Sequence, residues 1–345
     1  MRKFLLLFLL TASLVFPSIA QAFEYEYEGQ TIVYTILDEN TKTCMTREGE
    51  LSSPGNLISG KLVLPAHPKF DDVSYTLTEI GTGSFYNLKD ITSVEMPNTV
   101  TKIGDGAFSR CIGLTEVTIP NSVTEIARFA FSGCIGLTEV IIPNSVTKIG
   151  YRAFSECIGL TGVTIPNSVI EIGEYAFSEC SGLTKISIPN SITEISAGTF
   201  VLTRLTEVTI PNSVTEIGYE AFYLCRGLTE ITIPDSVRII GNKAFEGCER
   251  LTEVTIPNSV TEIGYEAFCS CRGLTELTIP DSVTELGEGA FFECEALTEV
   301  NYITDHPKYF DNDWYCRFFS VETYDNATLY VMPEGLELAA ETVPW

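Results

Sequence analysis

Residues 114–126 read LTEVTIPNSVTEI, and near-copies of this stretch recur along most of the chain. The proline of each copy follows the previous one after 23 residues, with one step of 22 between Pro189 and Pro211. A fixed period of this length is typical of a solenoid, in which each repeat forms one coil that cannot bury its apolar face alone. The series comprises Pro97, Pro120, Pro143, Pro166, Pro189, Pro211, Pro234, Pro257 and Pro280.

Two short extended stretches are predicted in each repeat. Val117 and Ile119 stand two residues apart, which is the spacing of a strand with one buried face. Pro120 ends this strand because proline has no N–H to donate to a ladder. Val123 and Ile126 then face inward again, in a second extended stretch.

The remaining columns of the repeat predict turns and one short helical segment. Asn121 and Ser122 can bond nearby backbone and stabilise a turn. Ala130 and Phe131 place a small and a large residue in the core, on a short helical turn. Aligned phenylalanines are expected to touch ring to ring along the axis. We expect a glycine column to let the chain turn once more, at Gly150, Gly173, Gly218, Gly241, Gly264 and Gly287.

The repeat can be written LxxVxIPxSVTEIGxxAFxxCxG, and this pattern resembles the 23-residue, BspA-like or treponemal, leucine-rich repeats of bacterial surface proteins. The resemblance covers residues 57–303. It implies a right-handed superhelix of short parallel β-strands, carried by extracellular proteins that are often linked to adhesion or host contact.

Four regions follow from the pattern. The start has Arg2 and Lys3 ahead of an apolar run over 4–16, and the small-x-small cleavage pattern closes at Ala22. Residues 1–22 are therefore predicted to be a signal peptide, which places the protein in the secreted or cell-surface class. Residues 23–56 form a predicted N-terminal β cap, 57–303 the solenoid, and 304–345 a C-terminal cap. No second apolar segment long enough to span a membrane follows in the mature chain.

The formal net charge is -25, and loss of Arg2 and Lys3 with the signal peptide makes it -27. Such a surface repels nucleic acid and anionic lipid headgroups. It favours a basic, extracellular protein partner, and the alternative is that the charge only keeps a long exposed surface soluble.

Two columns of carboxylates carry the strongest surface signal. The first holds Glu116, Glu139, Glu207, Glu230, Glu253, Glu276 and Glu299, interrupted by Gly162 and Lys185. The second holds Glu125, Glu171, Glu194, Glu216, Glu262 and Glu285, interrupted by Lys102, Lys148 and Arg238. Like charges about 5 Å apart along a ladder repel each other, so stability alone does not select them. A solvated face and a calcium-binding role are the alternatives to a partner-binding face. The candidate face consists of Glu116, Glu139, Glu207, Glu230, Glu253, Glu276, Glu125, Glu171, Glu216 and Glu262.

No residue pattern predicts catalysis, a metal site or a cofactor. Eight of the eleven cysteines share one column, which does not supply the close pairs that zinc needs. We interpret them as buried thiols that act as small hydrophobes, with disulfides as the alternative. The only histidines, His67 and His306, lie outside the repeats and do not complete a catalytic set. Several tyrosines could be exposed anchors or core rims: Tyr151, Tyr175, Tyr219, Tyr223 and Tyr265.

The sequence therefore predicts an extracellular interaction protein that binds a partner across one face of a solenoid. The alternative is a passive spacer in the cell envelope without a specific ligand.

Overall fold

Each coil contributes two short strands, which we call the front strand and the back strand. A computed structural model describes residues 21–49, 58–303, 319 and 328–332. These residues form a β-solenoid of about ten coils, and no helix occurs among them. The predicted leucine-rich-repeat solenoid of parallel strands is thereby confirmed.

The front strands correspond to the Glu-Val-Thr positions of the repeat and pair in parallel. Val117 lies opposite Val94 of the preceding coil, so equivalent residues are in register. The front strands are β4 (Gly60–Val63), β8 (Ile91–Glu95), β10 (Glu116–Thr118), β12 (Glu139–Ile141), β14 (Gly162–Thr164), β16 (Lys185–Ser187), β18 (Glu207–Thr209), β20 (Glu230–Thr232), β22 (Glu253–Thr255), β24 (Glu276–Ile279), β26 (Glu299–Ile303) and β27 (Thr328–Met332).

The back strands correspond to the Glu-Ile positions and pair in the same way, with Ile126 opposite Ile149. They belong to sheets other than those of the front strands, so the two series form two faces of the solenoid. The back strands are β3 (Thr43–Thr46), β7 (Thr76–Ile80), β9 (Lys102–Ile103), β11 (Glu125–Ile126), β13 (Lys148–Ile149), β15 (Glu171–Ile172), β17 (Glu194–Ile195), β19 (Glu216–Ile217), β21 (Ile239–Ile240), β23 (Glu262–Ile263) and β25 (Glu285–Leu286).

A stack of phenylalanine rings runs through the core. Consecutive ring centroids lie 5.0–6.1 Å apart and neighbouring ring planes are within 20° of parallel. This confirms the predicted ring-to-ring contacts, each of which contributes roughly 0.5–1.5 kcal/mol beyond area burial. The stack comprises Phe85, Phe108, Phe131, Phe154, Phe177, Phe200, Phe222, Phe245, Phe268, Phe291 and Phe319.

Runs of turns replace the short helical segments expected around the Ala-Phe pairs. The N–H of Phe108 donates to the carbonyl of Ala130 in the next coil, at 2.8 Å, while the N–H of Ala130 donates within its own coil to Ala127. Bonds to the next coil thus alternate with local bonds, and a continuous helix cannot form. Two positions per coil, such as Phe129 and Gly133, have positive φ, which also interrupts a helix.

The glycine column has a different role from the predicted one. Gly150 and Gly173 do not have positive φ, and a Cβ on either would lie 2.7–2.8 Å from backbone atoms of the preceding coil. These glycines allow close stacking of coils and are not needed to turn the chain. Ser196 stands in this column and its Oγ donates to the carbonyl of Ile172 at 2.7 Å. The back strands fall into two sheets at this point, between β15 and β17.

The chain ahead of the first repeat contains a hairpin. Strands β1 (Ala22–Tyr27) and β2 (Gln30–Asp38) pair antiparallel, and β2 pairs with β3. The segment between β4 and β7 forms a second small hairpin, with β5 (Lys69–Phe70) and β6 (Val73–Ser74). The Gln30 amide donates to the carbonyl of Lys61 and accepts from the N–H of Val63, so this side chain covers part of the open edge of β4.

The stack continues past residue 303, at least in the described parts. Strand β27 pairs in parallel with β26, and Phe319 stacks on Phe291 at 5.8 Å. The predicted signal peptide and most of the predicted C-terminal cap lie outside the described residues, and the four domain boundaries stay predictions.

Candidate functional site

The front strands carry the first carboxylate column on their outer face. In β10, Glu116 and Thr118 are exposed while Val117 between them is buried. The same alternation holds at Glu207, Glu230 and Glu253 in later coils. The structure therefore aligns this column as the repeat predicted, with Glu230 opposite Glu253.

The second carboxylate column lies on the back strands, and one of the residues predicted to interrupt it is wrong. Glu216 lies opposite Ile239, and Ile239 lies opposite Glu262, so Ile239 interrupts this column. Arg238 was predicted to do so, but register places it one residue earlier, where its guanidinium donates to the carbonyl of Ser259 at 3.1 Å. The two columns belong to different sheets and do not form one continuous acidic face.

Burial separates the members of the candidate face. Glu216 and Glu262 are half-buried, and burial followed by repulsion from Glu194 and Glu262 raises the pKa of Glu216. The other eight candidates are exposed: Glu116, Glu139, Glu207, Glu230, Glu253, Glu276, Glu125 and Glu171.

Lysines within the columns neutralise part of the charge. Lys185 forms an ion pair with Glu207 at 2.7 Å in the front column. In the back column, Lys148 pairs with Glu171 at 2.8 Å and Lys102 with Glu79 at 3.2 Å. At least one partner of each pair is exposed and Glu79 is half-buried, so each pair contributes at most about 1 kcal/mol.

The front column is most acidic in the C-terminal half of the solenoid. From Glu207 to Glu299, each coil places a glutamate in it, and Glu276 lies opposite Glu299. A shallow groove of about 430 Å³ crosses Glu207, Glu230 and the turn at Asp235. This geometry offers a row of carboxylates beside threonine side chains. The carboxylates can accept hydrogen bonds from lysine or arginine side chains of a partner.

A larger groove, of about 830 Å³, crosses the front strands of earlier coils. Its lining includes Glu116, Glu139 and Ile141. Ile141 replaces the threonine of other coils and is 64% exposed. Carboxylates and an exposed apolar side chain therefore share this groove.

The thiols of the cysteine column are buried in the core. The ten described cysteines are free thiols. The thiol of Cys134 donates to the carbonyl of Phe108 in the preceding coil at 3.1 Å, and burial raises its pKa well above the ordinary value. In the short coil, Thr203 takes the cysteine position and donates to the carbonyl of Phe200 at 2.9 Å. The thiols therefore serve as small core residues with a satisfied donor. Cys316 lies outside the described residues.

Neither a metal centre nor a catalytic set emerges from the described part of the chain. No group of three or more His, Cys, Asp or Glu side chains there could hold a metal ion. His67 lies in the segment between β4 and β7, with its Nδ1 3.4 Å from Thr76 Oγ1, and His306 is outside the described residues. No helix within those ranges has the length and apolar character to cross a membrane.

We call the surface formed by the runs of turns around the Ala-Phe pairs the turn side. A column of exposed isoleucines lies on it and was not predicted from the sequence. Ile112, Ile135 and Ile158, each directly after a column cysteine, are 38–52% exposed. The signal was present in the sequence, because the equivalent positions of later coils are charged: Arg226, Glu249, Arg272 and Glu295.

This fold and these surfaces define a leucine-rich-repeat protein whose exposed columns suit recognition of another molecule. The chain belongs to the BspA-type leucine-rich-repeat family, whose model matches residues 101–229 and 215–315.

One solved structure supports this assignment. A leucine-rich cell surface protein from Faecalibacterium prausnitzii is 30% identical, with 81% of this chain and 76% of that chain covered and a TM-score of 0.52. The pneumococcal vaccine antigen PcpA is 19% identical, with 92% and 89% covered and a TM-score of 0.61, which shows the shared fold. A Treponema pallidum leucine-rich-repeat protein is 23% identical, with 70% and 87% covered and a TM-score of 0.36. No curated protein matches the chain at a significant level.

Proposed function

We propose that this chain is an exported cell-surface protein that binds a basic protein partner, in adhesion or host contact, through the front strands of its C-terminal half. The observation that carries the proposal is the unbroken front column at Glu230, Glu253, Glu276 and Glu299. Stacked carboxylates repel one another, so a cationic partner would relieve a cost that the isolated protein retains.

One further fact supports an exported surface protein. The relative from F. prausnitzii is described as a cell surface protein.

Binding to a panel of purified extracellular-matrix proteins at low and moderate salt tests the proposal. The triple variant Glu230→Gln, Glu253→Gln, Glu276→Gln should bind at least about tenfold more weakly, with most of the loss in the association rate. Moderate salt should weaken the original protein more than the variant, because fewer charge pairs remain in the variant.

A matched control changes three exposed turn glutamates instead: Glu156→Gln, Glu179→Gln and Glu288→Gln. This control loses the same formal charge and should retain binding. Equal loss of binding in both triple variants would show that net charge causes the effect and would contradict binding through the front column. A complete lack of binding across the panel would favour the passive spacer.

A further inference from the structure

Arginine and aromatic side chains form a cluster on the turn side of three adjacent coils. We call it the arginine–aromatic ridge, and it consists of Arg128, Phe129, Tyr151, Arg152 and Tyr175. Phe129 and Tyr151 meet edge to face at 5.2 Å between centroids, and Tyr151 and Tyr175 do so at 6.1 Å.

Each guanidinium of the ridge lies over two rings. Arg128 is 6.0 Å from the centroid of Phe129 and 5.6 Å from that of Tyr151. Arg152 is 5.4 Å from Tyr151 and 5.0 Å from Tyr175. The two ring centroids of each pair lie only 5.2 or 6.1 Å apart, so each guanidinium lies beside an edge-to-face ring pair and contacts both rings. These contacts restrict the arginine side chain before any ligand arrives, so less side-chain freedom is lost on binding.

The ridge contrasts with the charge of the rest of the molecule. The chain has a formal net charge of -25, yet within the described ranges neither Arg128 nor Arg152 has a carboxylate within ion-pair distance. The Nε of Arg152 is buried and has no hydrogen-bond partner among those residues, while the side chain as a whole is half-exposed. A guanidinium in this state has donors available for a planar anion.

The backbone under the ridge is unfavourable for these side chains. Phe129, Arg152 and Tyr175 have φ of 56°, 52° and 57° at a column where Gly106 and Gly198 stand in neighbouring coils. Left-handed backbone costs a non-glycine residue roughly 1 kcal/mol. Gly198 also leaves the space that Tyr175 occupies, since a Cβ there would lie 2.2 Å from the Tyr175 ring. Three consecutive coils thus keep large side chains at positions that a glycine would fill with less strain.

We infer that the arginine–aromatic ridge binds a short, carboxylate-bearing oligosaccharide. The guanidiniums of Arg128 and Arg152 would each donate two parallel hydrogen bonds to carboxylates. The ring surfaces of Phe129, Tyr151 and Tyr175 would pack against the apolar faces of sugar rings.

Two observations favour a short glycan over other anions. One aromatic side chain of the ridge comes from each of three successive coils, with ring centroids 5.2 and 6.1 Å apart, so the ridge offers a run of apolar surface to successive rings of a linear ligand. The net charge of -25 repels a long polyanion such as nucleic acid, so a short ligand with few charges is favoured. The ridge lies on the turn side and is cationic, so this inference does not depend on the acidic front column.

Isothermal titration of the mature chain with a hyaluronan tetrasaccharide tests the inference. The matched neutral probe is tetra-N-acetylchitotetraose, which has the same number of sugar rings and neither a carboxylate nor a free amine. Binding of the acidic tetrasaccharide at least about tenfold tighter than the neutral one is expected, because charge-assisted bonds to the guanidiniums dominate. Equal binding of the two sugars, or no binding of either, would overturn the inference.

Variants locate the site. Arg128→Gln, which changes an exposed side chain, and Arg152→Lys, which keeps the charge but loses the planar fork, should each weaken binding about tenfold. Arg226→Gln removes the same charge from an exposed arginine that pairs with Glu249 at 2.9 Å, and it should leave binding unchanged. Equal weakening by Arg226→Gln would show a general charge effect and contradict the site.

A tetraglutamate peptide and free acetate complete the set of probes. Neither is expected to bind as tightly as the tetrasaccharide. If tetraglutamate binds equally well, the ridge recognises acidic peptides and the glycan assignment is wrong. If acetate at equal carboxylate concentration blocks tetrasaccharide binding fully, the rings contribute nothing and the assignment also fails.

Discussion

The turn side of the solenoid differs between its two halves although the repeat is the same. In the N-terminal half, the position after the first three column cysteines exposes Ile112, Ile135 and Ile158. In the C-terminal half, the same column forms ion pairs between coils, with Arg226 bonded to Glu249 at 2.9 Å and Arg272 to Glu295 at 3.3 Å.

The column of left-handed backbone that contains Phe129, Arg152 and Tyr175 shows the same division between the halves. In the N-terminal half, Arg152 contacts the rings of Tyr151 and Tyr175 and forms no ion pair with any residue that the structure describes. In the C-terminal half, the equivalent Lys243 is held by Glu246 at 2.8 Å and Glu266 at 2.6 Å. The C-terminal turn side therefore satisfies its own charges, whereas the N-terminal turn side leaves apolar and cationic groups available to a ligand.

The boundary between the halves coincides with local changes in the coil. Ser196 occupies the glycine column, the back strands divide there, and the next step of the repeat is one residue short. The widest ring spacing of the core stack, 6.1 Å, joins Phe177 and Phe200 at the same place. Since the core continues through this boundary, the difference between the halves is a property of their surfaces.

The largest effects are expected from removing a core ring in either half. Phe154→Ala and Phe245→Ala should each lower the free energy of unfolding by about 3–5 kcal/mol, because each ring is fully buried between two others. Chemical denaturation followed by circular dichroism measures both. Leucine at the same positions is the control and should cost less, since it leaves a smaller cavity. A cost below about 1 kcal/mol in one half only would show that the two halves do not share an equivalent core.

An intermediate effect is expected from the charged cluster of the C-terminal half. Hydrogen bonds to Glu246 and Glu266 raise the pKa of Lys243. Burial raises the pKa of Glu266, but the bonds from Lys243 and Tyr265 outweigh it, and the net shift is downward. Lys243→Met should therefore cost about 1 kcal/mol at neutral pH.

The pH dependence of that cost has a defined sign. A lowered carboxyl pKa stabilises the fold above the ordinary glutamate range and is lost as pH falls through the folded-state pKa. The cost of Lys243→Met should shrink below about pH 4, as measured by thermal unfolding between pH 3 and 7. Arg152→Met, at the equivalent position of the other half, should show no such change with pH. A pH-dependent cost in both variants would erase the distinction between the halves.

Much of the fold could be predicted from the sequence because each apolar column repeats and fixes one inward position. Val117, Ile126 and Phe131 were all placed correctly in the core. The role of Gly150 could not be predicted, because a glycine that permits close stacking and a glycine with positive φ look identical in a sequence. Register also decided that Ile239, one residue from Arg238, interrupts the back column.

The surfaces were less predictable. A periodic sequence aligns the carboxylates but does not tell which neighbours an exposed side chain contacts. The contacts of Arg152 with Tyr151 and Tyr175 join residues of adjacent coils at different positions of the repeat, so no single column of the sequence contains them. Whether the carboxylates of the candidate face bind a partner stays a prediction.

The smallest effect is expected from relieving one left-handed position that both halves share. Glu179 is exposed and has φ of 61°, and the equivalent residue of another coil is Gly133. Glu179→Gly should raise the free energy of unfolding by about 0.5 kcal/mol, because the relief of left-handed strain slightly exceeds the added freedom of the unfolded chain. Glu179→Ala removes the same side chain without relieving the backbone, so it should be less stable than the glycine variant by about 1 kcal/mol in parallel denaturation curves. If alanine proves as stable as glycine, the left-handed backbone at position 179 is not strained.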